Sequence, residues 1–187
     1  MQKARLRKLY KEKRAALSQG QIDDYSIAIA NNCLKLDIWD KQTFHLFLTI
    51  DKLMEVQTQY LLSILQGKDK NVVISKSDFD SHSMRHYLLT DQTKLAINEY
   101  GIPEPVDGIE MKESQLEVVF VPLLCVDKSG NRVGYGKGFY DKFLEKCGSD
   151  TLRVGLSFFE PITEQINVLS TDVPLHAVVT PCKLLKF

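Results

Sequence analysis

A chain of 187 residues, 44% of them hydrophobic, is long enough to bury roughly two thirds of its unfolded surface in a single core. Its 24 basic and 24 acidic side chains balance, which argues against a protein dedicated to binding nucleic acid or a membrane surface. The sequence holds no run of 18 apolar residues and no signal-peptide core after its charged start, so we expect neither membrane spanning nor export.

The cysteines and the first residues indicate the compartment. A chain of this size does not require a disulfide framework, so we expect reduced thiols and a cytoplasmic location. The first fourteen residues hold seven basic side chains and one acidic side chain, a net charge of +6 that the rest of the chain offsets. This start is rich in Arg and poor in acids, as in an organelle transit peptide, but it lacks the serines typical of one. The cysteines lie far apart and form no C-x-x-C pair: Cys33, Cys125, Cys147 and Cys182.

Helical and strand patterns alternate along the chain without repeats or a long linker. Apolar spacing predicts helices over residues 3–17 and 21–36, a strand over 43–49, and a helix over 56–65 that ends at Gly67. Further strands are predicted over 72–74, 85–89, 118–121, 152–156 and 177–180, with helices over 93–100 and 139–146.

This alternation predicts an α/β fold with a single domain over residues 1–187. We expect three layers, in which a mostly parallel or mixed central sheet carries helices on both faces. Ligands of such sheets bind beyond the carboxyl ends of the strands. The loop after the strand at 118–121 leaves the sheet at that end, so a binding site is expected there.

That loop contains three alternating glycines, Gly134, Gly136 and Gly138, directly before the helix at 139–146. Glycine has no Cβ, so backbone N–H groups can approach an anion closely, and a helix start adds its positive dipole end. The spacing differs from the dinucleotide fingerprint G-x-G-x-x-G and from the P-loop G-x-x-x-x-G-K-[ST]. The pattern favours a phosphate site, although glycines at a strand-to-helix turn can also be required only sterically.

Charged residues beside the glycines favour the phosphate interpretation. Arg132 and Lys137 supply two cations, and Asp141 places a carboxylate in the first turn of the helix. Such a combination suits a phosphate chain that carries a magnesium ion.

Ionisable residues elsewhere are further candidates for ligand contacts. Lys3 and Arg7 lie four residues apart on one helical face, where they could hold phosphates or an acidic substrate tail, or form a solvated surface. Glu55 could bind a substrate or stabilise the start of the following helix. Asp141 and Asp172 could share a magnesium ion, or each could be a helix cap or a surface acid.

Two histidines have the i, i+4 spacing of a helical zinc site, His82 and His86. The residues at 84–88 follow a strand pattern instead, and no third ligand is evident. We therefore do not expect zinc at this position.

The segment G-N-R-V-G-Y-G-K-G-F-Y-D at residues 130–141 closely resembles the signature of the 5-formyltetrahydrofolate cyclo-ligase (methenyltetrahydrofolate synthetase) family. Three other segments fit that family in the same order. They are K-A-R-L-R at 3–7, F-L at 47–48 followed by E-V-Q-T at 55–58, and D-V-P-L-H-A-V-V-T at 172–180. The resemblance therefore spans nearly the whole chain.

The resemblance implies a fold like that of sugar-phosphate isomerases and CoA-transferases. It also implies ATP- and Mg²⁺-dependent cyclisation of 5-formyltetrahydrofolate to 5,10-methenyltetrahydrofolate, with release of ADP and phosphate, through a phosphorylated formyl (iminium phosphate) intermediate. A reduced folate and ATP are then the partners, and we expect a monomer that binds neither nucleic acid nor membrane.

Individual roles also follow from the resemblance. Arg132 and Lys137 are implied as catalytic residues that stabilise charge, and Asp141 and Asp172 as metal ligands. Folate contacts are implied for Leu48, Glu55, Met84 and Tyr140, and nucleotide contacts for Lys3, Arg7, Arg132, Gly134, Tyr135, Gly136, Lys137, Gly138, Phe139 and Tyr140.

Two other classes of function stay open at this point. A nucleotide-binding regulator would use the glycine segment and bind ATP without folate-dependent hydrolysis. A sugar-phosphate isomerase or CoA-transferase-type enzyme would turn over without ATP and would need a catalytic base that the sequence does not suggest. A nucleic-acid binder ranks lower, because the basic start lacks the interleaved aromatic residues of a stacking surface.

Overall fold

The computed structural model describes residues 2–187. Four α-helices and twelve β-strands are formed within this range, together with 3₁₀ turns at Asp51–Leu53 and Glu113–Gln115. The helices are α1 (Gln2–Ala15), α2 (Gln19–Cys33), α3 (Gln59–Gly67) and α4 (Phe139–Lys146). The strands are β1 (Thr43–His45), β2 (Asn71–Asp78), β3 (Ser83–Leu88), β4 (Leu95–Ile97), β5 (Pro103–Pro105), β6 (Glu110–Met111), β7 (Val118–Pro122), β8 (Cys125–Val126), β9 (Arg132–Val133), β10 (Leu152–Leu156), β11 (Ala177–Val179) and β12 (Leu184–Lys186).

Eight of these strands form one mixed sheet in the order β12-β11-β10-β7-β1-β2-β3-β6. Its five central strands, from β11 to β2, pair in parallel, and antiparallel strands complete both edges. A parallel strand that is covered on both faces is expected to be a continuous apolar run, and every residue from Val118 to Val121 in β7 is fully buried. The predicted α/β class with a mixed central sheet is confirmed.

Helices cover both faces of the sheet. On one face, α2 and α3 pack around Phe44 and Phe120, whose rings stack with their centroids 6.3 Å apart. On the other face, α4 places Phe143 and Leu144 against Val119. The three-layer arrangement agrees with the prediction.

The first helix lies on neither face. Leu6 and Tyr10 of α1 pack instead against Leu124, Cys125 and Val133 of a small hairpin formed by β8 and β9. This hairpin lies between β7 and the glycine segment, and its tip is closed by hydrogen bonds to the buried Asp127 carboxylate. The sequence predicted only a polar turn here, because two-residue strands give no periodic signal.

The predicted helix over 93–100 is wrong. Residues Leu95–Ile97 form β4, which pairs with β5 in a two-stranded antiparallel sheet. The Asn98 side chain accepts hydrogen bonds from the N–H groups of Tyr100 and Ile102, and Gly101 has a left-handed φ of 76°. Because an Asn side chain that bonds nearby N–H groups favours a turn over a helix, the chain reverses at this point.

Several boundaries differ from the prediction. The strand that begins at Thr43 ends at His45, earlier than predicted, and α3 begins at Gln59 rather than at 56. The segment between them is held together by Thr58, whose N–H donates to Thr49 Oγ1 and whose hydroxyl donates to the Phe47 carbonyl. These local bonds compete with both regular elements. The bounds of α4 and β10 agree with the prediction.

None of the helices in the described part of the chain is long and apolar enough to cross a bilayer.

Candidate active site

A cleft of about 800 Å³ opens at the carboxyl edge of the parallel strands. Its floor is reached by the ends of β2 and β7, and its sides are formed by the start of α1, the glycine segment and residues 169–172. This is the edge at which ligands of parallel sheets bind. All of the residues predicted for nucleotide, folate or metal contacts line this cleft: Lys3, Arg7, Leu48, Glu55, Met84, Arg132, Gly134, Tyr135, Gly136, Lys137, Gly138, Phe139, Tyr140, Asp141 and Asp172.

The glycine segment leaves β9 and enters α4 with its backbone bordering the cleft. Gly136 and Gly138 have left-handed φ values of 89° and 74°, which favour glycine. A Cβ at Gly136 would also lie 2.9 Å from the Arg7 guanidinium carbon. Gly134 has neither constraint, since no atom lies within 4 Å of the place that a Cβ would occupy. Backbone conformation therefore explains why glycine occupies positions 136 and 138. Gly134 has no such constraint and leaves open space beside the backbone.

Two ion pairs bring the predicted metal ligands together with predicted phosphate-binding cations. Arg132 Nη2 lies 2.7 Å from Asp141 Oδ1, and Lys3 Nζ bonds to Asp172 Oδ2. Asp141 Oδ1 also accepts a hydrogen bond of 3.2 Å from the N–H of Val173, the residue next to Asp172. The two carboxylates, thirty-one positions apart in the sequence, therefore meet at one place in the cleft.

The environment of Asp172 keeps its carboxyl group ionised. Burial acts to raise its pKa, but the hydrogen bonds from Lys3 and from the Leu169 N–H together bring the pKa below its ordinary value. The negative charge is thus stabilised by one cation and one backbone amide.

The other two predicted cations, Arg7 and Lys137, differ in whether they already bind a group of the protein. Arg7 Nε donates to the carbonyl of Gly134 over 3.0 Å, which fixes α1 against the glycine segment. Lys137 is exposed, and within residues 2–187 its amine takes part in no ion pair. An exposed ammonium group in the cleft, without an ion pair among the described residues, is available to an anionic ligand.

Glu55 is held at the centre of a buried hydrogen-bond network. The Tyr135 hydroxyl donates to Glu55 Oε1 over 2.6 Å, and the Ile50 N–H donates to Oε2 over 2.9 Å. Burial raises the pKa of Glu55, whereas these two hydrogen bonds and the charge of Arg14 oppose the rise. The alternative that Glu55 stabilises the start of the following helix is wrong, because its oxygens bind these groups rather than the amides of α3.

Sequence reasoning missed Arg14, which orients the phenol of Tyr135. Arg14 is only 4% exposed, and its guanidinium donates to the Tyr135 hydroxyl over 2.5 Å and to the Leu123 carbonyl over 2.6 Å. A signal was present in the sequence: Leu6, Tyr10 and Arg14 are spaced by four, which places the arginine on the apolar face of α1.

Apolar and aromatic walls complete the cleft. Leu48, Met84 and Tyr140 lie at its sides as expected, and burial raises the pKa of the Tyr140 phenol, which therefore stays protonated at neutral pH. Phe79 and Tyr100 form a further wall that was not predicted, with ring centroids 4.0 Å apart. These two residues come from loops far apart in the sequence, so no local pattern joins them.

Residues 1–181 match the model of the 5-formyltetrahydrofolate cyclo-ligase family. The chain belongs to this family. The Schizosaccharomyces pombe protein named "Probable 5-formyltetrahydrofolate cyclo-ligase" is 31% identical across 100% of this chain and 98% of its own length. The Escherichia coli K12 protein named 5-formyltetrahydrofolate cyclo-ligase is 32% identical, over 76% of this chain and 79% of its own length.

The solved structure of Aquifex aeolicus 5,10-methenyltetrahydrofolate synthetase is similar over the whole fold. Its TM-score is 0.85 at 26% sequence identity, and the match covers 100% of this chain and 93% of that chain. The family resemblance inferred from residues 130–141 is confirmed. The roles of individual residues in this cyclo-ligase family member stay predictions.

The donor set in the cleft fits magnesium better than a metal held by many side chains. Within residues 2–187, no group of three or more His, Cys, Asp or Glu side chains is arranged to hold a metal ion. Magnesium commonly takes one or two carboxylates and completes its shell with phosphate oxygens and water. Asp141 and Asp172, beside the glycine segment, match that requirement.

Proposed function

We propose that this chain catalyses the ATP- and Mg²⁺-dependent cyclisation of 5-formyltetrahydrofolate to 5,10-methenyltetrahydrofolate, with release of ADP and phosphate. The observation that carries the proposal is the convergence of four cations, two carboxylates and a glycine-rich backbone on a cleft with apolar walls. Membership of the cyclo-ligase family supports the same reaction.

The chemical difficulty lies in the formyl group of the substrate. A formamide carbon is a poor electrophile, and its oxygen is a poor leaving group. Bound MgATP would supply the phosphoryl group that turns the formyl oxygen into a leaving group, giving the iminium phosphate that the neighbouring anilino nitrogen attacks. The work left to the protein is to position the reactants and to stabilise charge.

Cations of the cleft are suited to that work. Lys137, whose amine is exposed, would neutralise charge on the transferring phosphoryl group, and Arg132 would do so while it holds Asp141. Lys3 and Arg7, on one face of α1, would hold the remaining phosphates. Asp141 and Asp172 would hold the magnesium ion.

Apolar walls and one buried carboxylate are suited to the folate. Leu48, Met84 and Tyr140 would pack against the pterin ring, and Glu55 would accept hydrogen bonds from its donor edge. Because the Glu55 oxygens already accept from Tyr135 and Ile50, the carboxylate is fixed in place before a ligand arrives. Such preorganisation lowers the free-energy cost of ordering side chains on binding.

Turnover of the purified protein tests the proposal directly. Incubation with 5-formyltetrahydrofolate, Mg²⁺ and ATP should produce the absorbance of the methenyl product, and omission of ATP should abolish it. Nucleotide binding without product would favour a regulator, and turnover of a sugar phosphate or a CoA ester without ATP would favour an enzyme of the isomerase or transferase type.

A further inference from the structure

Three polar side chains on neighbouring strands form a buried cluster under the cleft. Ser75 of β2 lies between His45 of β1 and His86 of β3, with its Oγ 2.6 Å from His45 Nε2 and 3.2 Å from His86 Nδ1. The two imidazoles are 0% and 2% exposed, whereas Ser75 lines the cleft. A hydroxyl at the cleft surface is therefore connected to two nitrogens that solvent does not reach.

This cluster is costly to maintain. Both imidazole rings pack against Phe143, with centroids 4.8 Å and 4.2 Å from its ring. Within the described residues, His86 Nε2 has no hydrogen-bond partner; His45 Nδ1 has none with good geometry, although the Phe120 backbone lies close enough to favour a proton on that ring. An unpaired buried polar group costs about 1–3 kcal/mol, so apolar side chains would make a more stable layer against Phe143. A polar network kept at such a cost, at the floor of a cleft, points to a function.

The geometry makes the serine a proton relay. Ser75 has a single hydroxyl proton and can donate it to only one of the two histidines, while it accepts an N–H bond from the other. Either direction uses both contacts, and the relay uses the one in which His86 Nδ1–H donates to Ser75 and the Ser75 O–H donates to His45 Nε2, the shorter contact. A proton that arrives at the Ser75 oxygen from the cleft can then pass on to His45.

Both histidines are neutral at physiological pH. Burial lowers the pKa of His45 far below its ordinary value and lowers the pKa of His86 to about 4. The groups that face them from other elements are the Tyr140 ring and the Phe120 backbone at His45, and the opposing charges of Glu113 and Lys146 at His86. The two imidazoles also face each other, which further lowers the pKa of His45. A neutral imidazole can accept a proton, although only from a strong acid at these pKa values.

The proposed reaction generates such an acid. When the anilino nitrogen attacks the formyl carbon, it becomes a positively charged nitrogen that still carries its hydrogen, and the aryl ring makes that hydrogen strongly acidic. A weak base is matched to this proton. Glu55, Asp141 and Asp172 line the same cleft, but the proposed function assigns Glu55 to the pterin edge and the two aspartates to the magnesium ion.

We propose that Ser75 is the residue that takes this proton, with His45 as the acceptor behind it and His86 as the residue that positions the hydroxyl. The N–H bond of the attacking nitrogen breaks and its electron pair stays on nitrogen, Ser75 Oγ gains the proton, and the original hydroxyl proton moves to His45 Nε2. Phosphate leaves with the electron pair of the carbon–oxygen bond. After product release the proton returns through Ser75 to water. This inference rests on the proposed function.

A pair of serine variants tests the relay. Ser77 lies two residues along β2 on the same face, so Ser77→Ala is a matched control for Ser75→Ala. We expect Ser75→Ala to lower kcat on the order of a hundredfold with KM for 5-formyltetrahydrofolate within about twofold, and Ser77→Ala to change kcat far less. Ser75→Thr, which keeps the hydroxyl, should retain most of the turnover.

The pH profile separates a relay from a merely structural role. Wild-type kcat should fall on the acid side as the histidines become protonated, and Ser75→Ala should lose this acid limb together with most of its rate. His45→Gln should also lower kcat and remove the limb while substrate binding persists.

Equal kcat values for Ser75→Ala and Ser77→Ala, measured on folded proteins, would overturn the relay and leave the proposed function standing. Failure of the wild type to form the methenyl product would instead refute the function, and the relay with it.

Discussion

Two groups of residues, one at the surface of the cleft and one largely beneath it, hold their charged and polar groups in different ways. One group consists of ion pairs whose carboxylates are partly exposed, Lys3 with Asp172 and Arg132 with Asp141, although the Arg132 side chain itself is only 6% exposed. The other consists of buried hydrogen-bond networks, Arg14 to Tyr135 to Glu55 and the two histidines to Ser75. A partly exposed pair such as Lys3 with Asp172 can exchange partners with a charged ligand at little cost, whereas the buried networks must be in place before the ligand arrives. We therefore expect phosphates and metal to bind at the exchangeable pairs and the folate to bind at the fixed networks.

Removal of the free cation should produce the largest effect. Lys137→Ala should lower turnover on the order of a hundredfold or more, because a charge-stabilising group near the transferring phosphoryl is lost, and should leave thermal stability unchanged, because the amine has no ion pair to lose. Lys146→Ala is the control, since Lys146 lies on the following helix and pairs with Glu113. Wild-type turnover by Lys137→Ala would show that this cation is not part of the chemistry.

Acid should destabilise the fold through the two buried histidines. The folded-state pKa of His86, about 4, lies below the ordinary value of 6.5, so between these values the unfolded chain binds a proton that the folded chain does not. The contribution of the neutral His86 to the free energy of unfolding is therefore fully present above pH 6.5 and is lost as the pH falls towards 4. The loss is about 2 kcal/mol at pH 5 from His86 alone, and His45, whose pKa is also lowered, adds to it. Urea unfolding of the wild type and of His86→Phe at pH 7 and pH 5 measures this. The same loss in both proteins would contradict the assignment.

Neutralising Glu55 should have a smaller effect on stability. In Glu55→Gln one carboxylate oxygen becomes an NH₂ group, which cannot accept, so either Tyr135 or Ile50 loses its partner. We expect a loss of about 1–2 kcal/mol in the free energy of unfolding, together with a raised KM for the folate. Glu145→Gln, on the exposed side of α4, provides the comparison and should be neutral for stability.

Opening an exchangeable pair should have the smallest effect on the fold. Lys3→Met should change the free energy of unfolding by less than about 1 kcal/mol, because both members of the pair with Asp172 are partly exposed. Titration calorimetry with MgATP should nevertheless show weaker binding. A large loss of stability with unchanged nucleotide affinity would place this pair among the fixed networks instead.

Local sequence patterns predicted the elements whose formation depends on residues close together in the sequence. The helix at 139–146 follows from its apolar periodicity, and the strand at 118–121 from its uninterrupted apolar run. The glycine segment was located because its backbone needs glycine at positions 136 and 138. The parts that were missed depend on a turn that apolar spacing does not show, or on partners distant in sequence. The hairpin at 95–105 depends on a turn at Asn98, and the contact between Arg14 and Tyr135 spans 121 positions.

The same limit applies to the candidate site. The family resemblance marked cations and carboxylates one by one, whereas their pairing appeared only in three dimensions. His45, Ser75 and His86 lie on three separate strands, so their meeting depends on the register of the sheet rather than on any motif.

The first helix contacts the cleft through three basic residues on one ridge. Lys3 reaches Asp172, Arg7 reaches Gly134, and Arg14 reaches Tyr135. Each residue of an α-helix advances by about 100° around the axis, so inserting one residue between Arg7 and Arg14 would turn Lys3 and Arg7 by that angle away from their partners. The rotation of α1 about its axis therefore decides whether Lys3 and Arg7 reach the ion pair and the glycine segment while Arg14 reaches Tyr135. An insertion of whole turns would restore the rotation but not the contacts, because each turn adds about 5.4 Å of length.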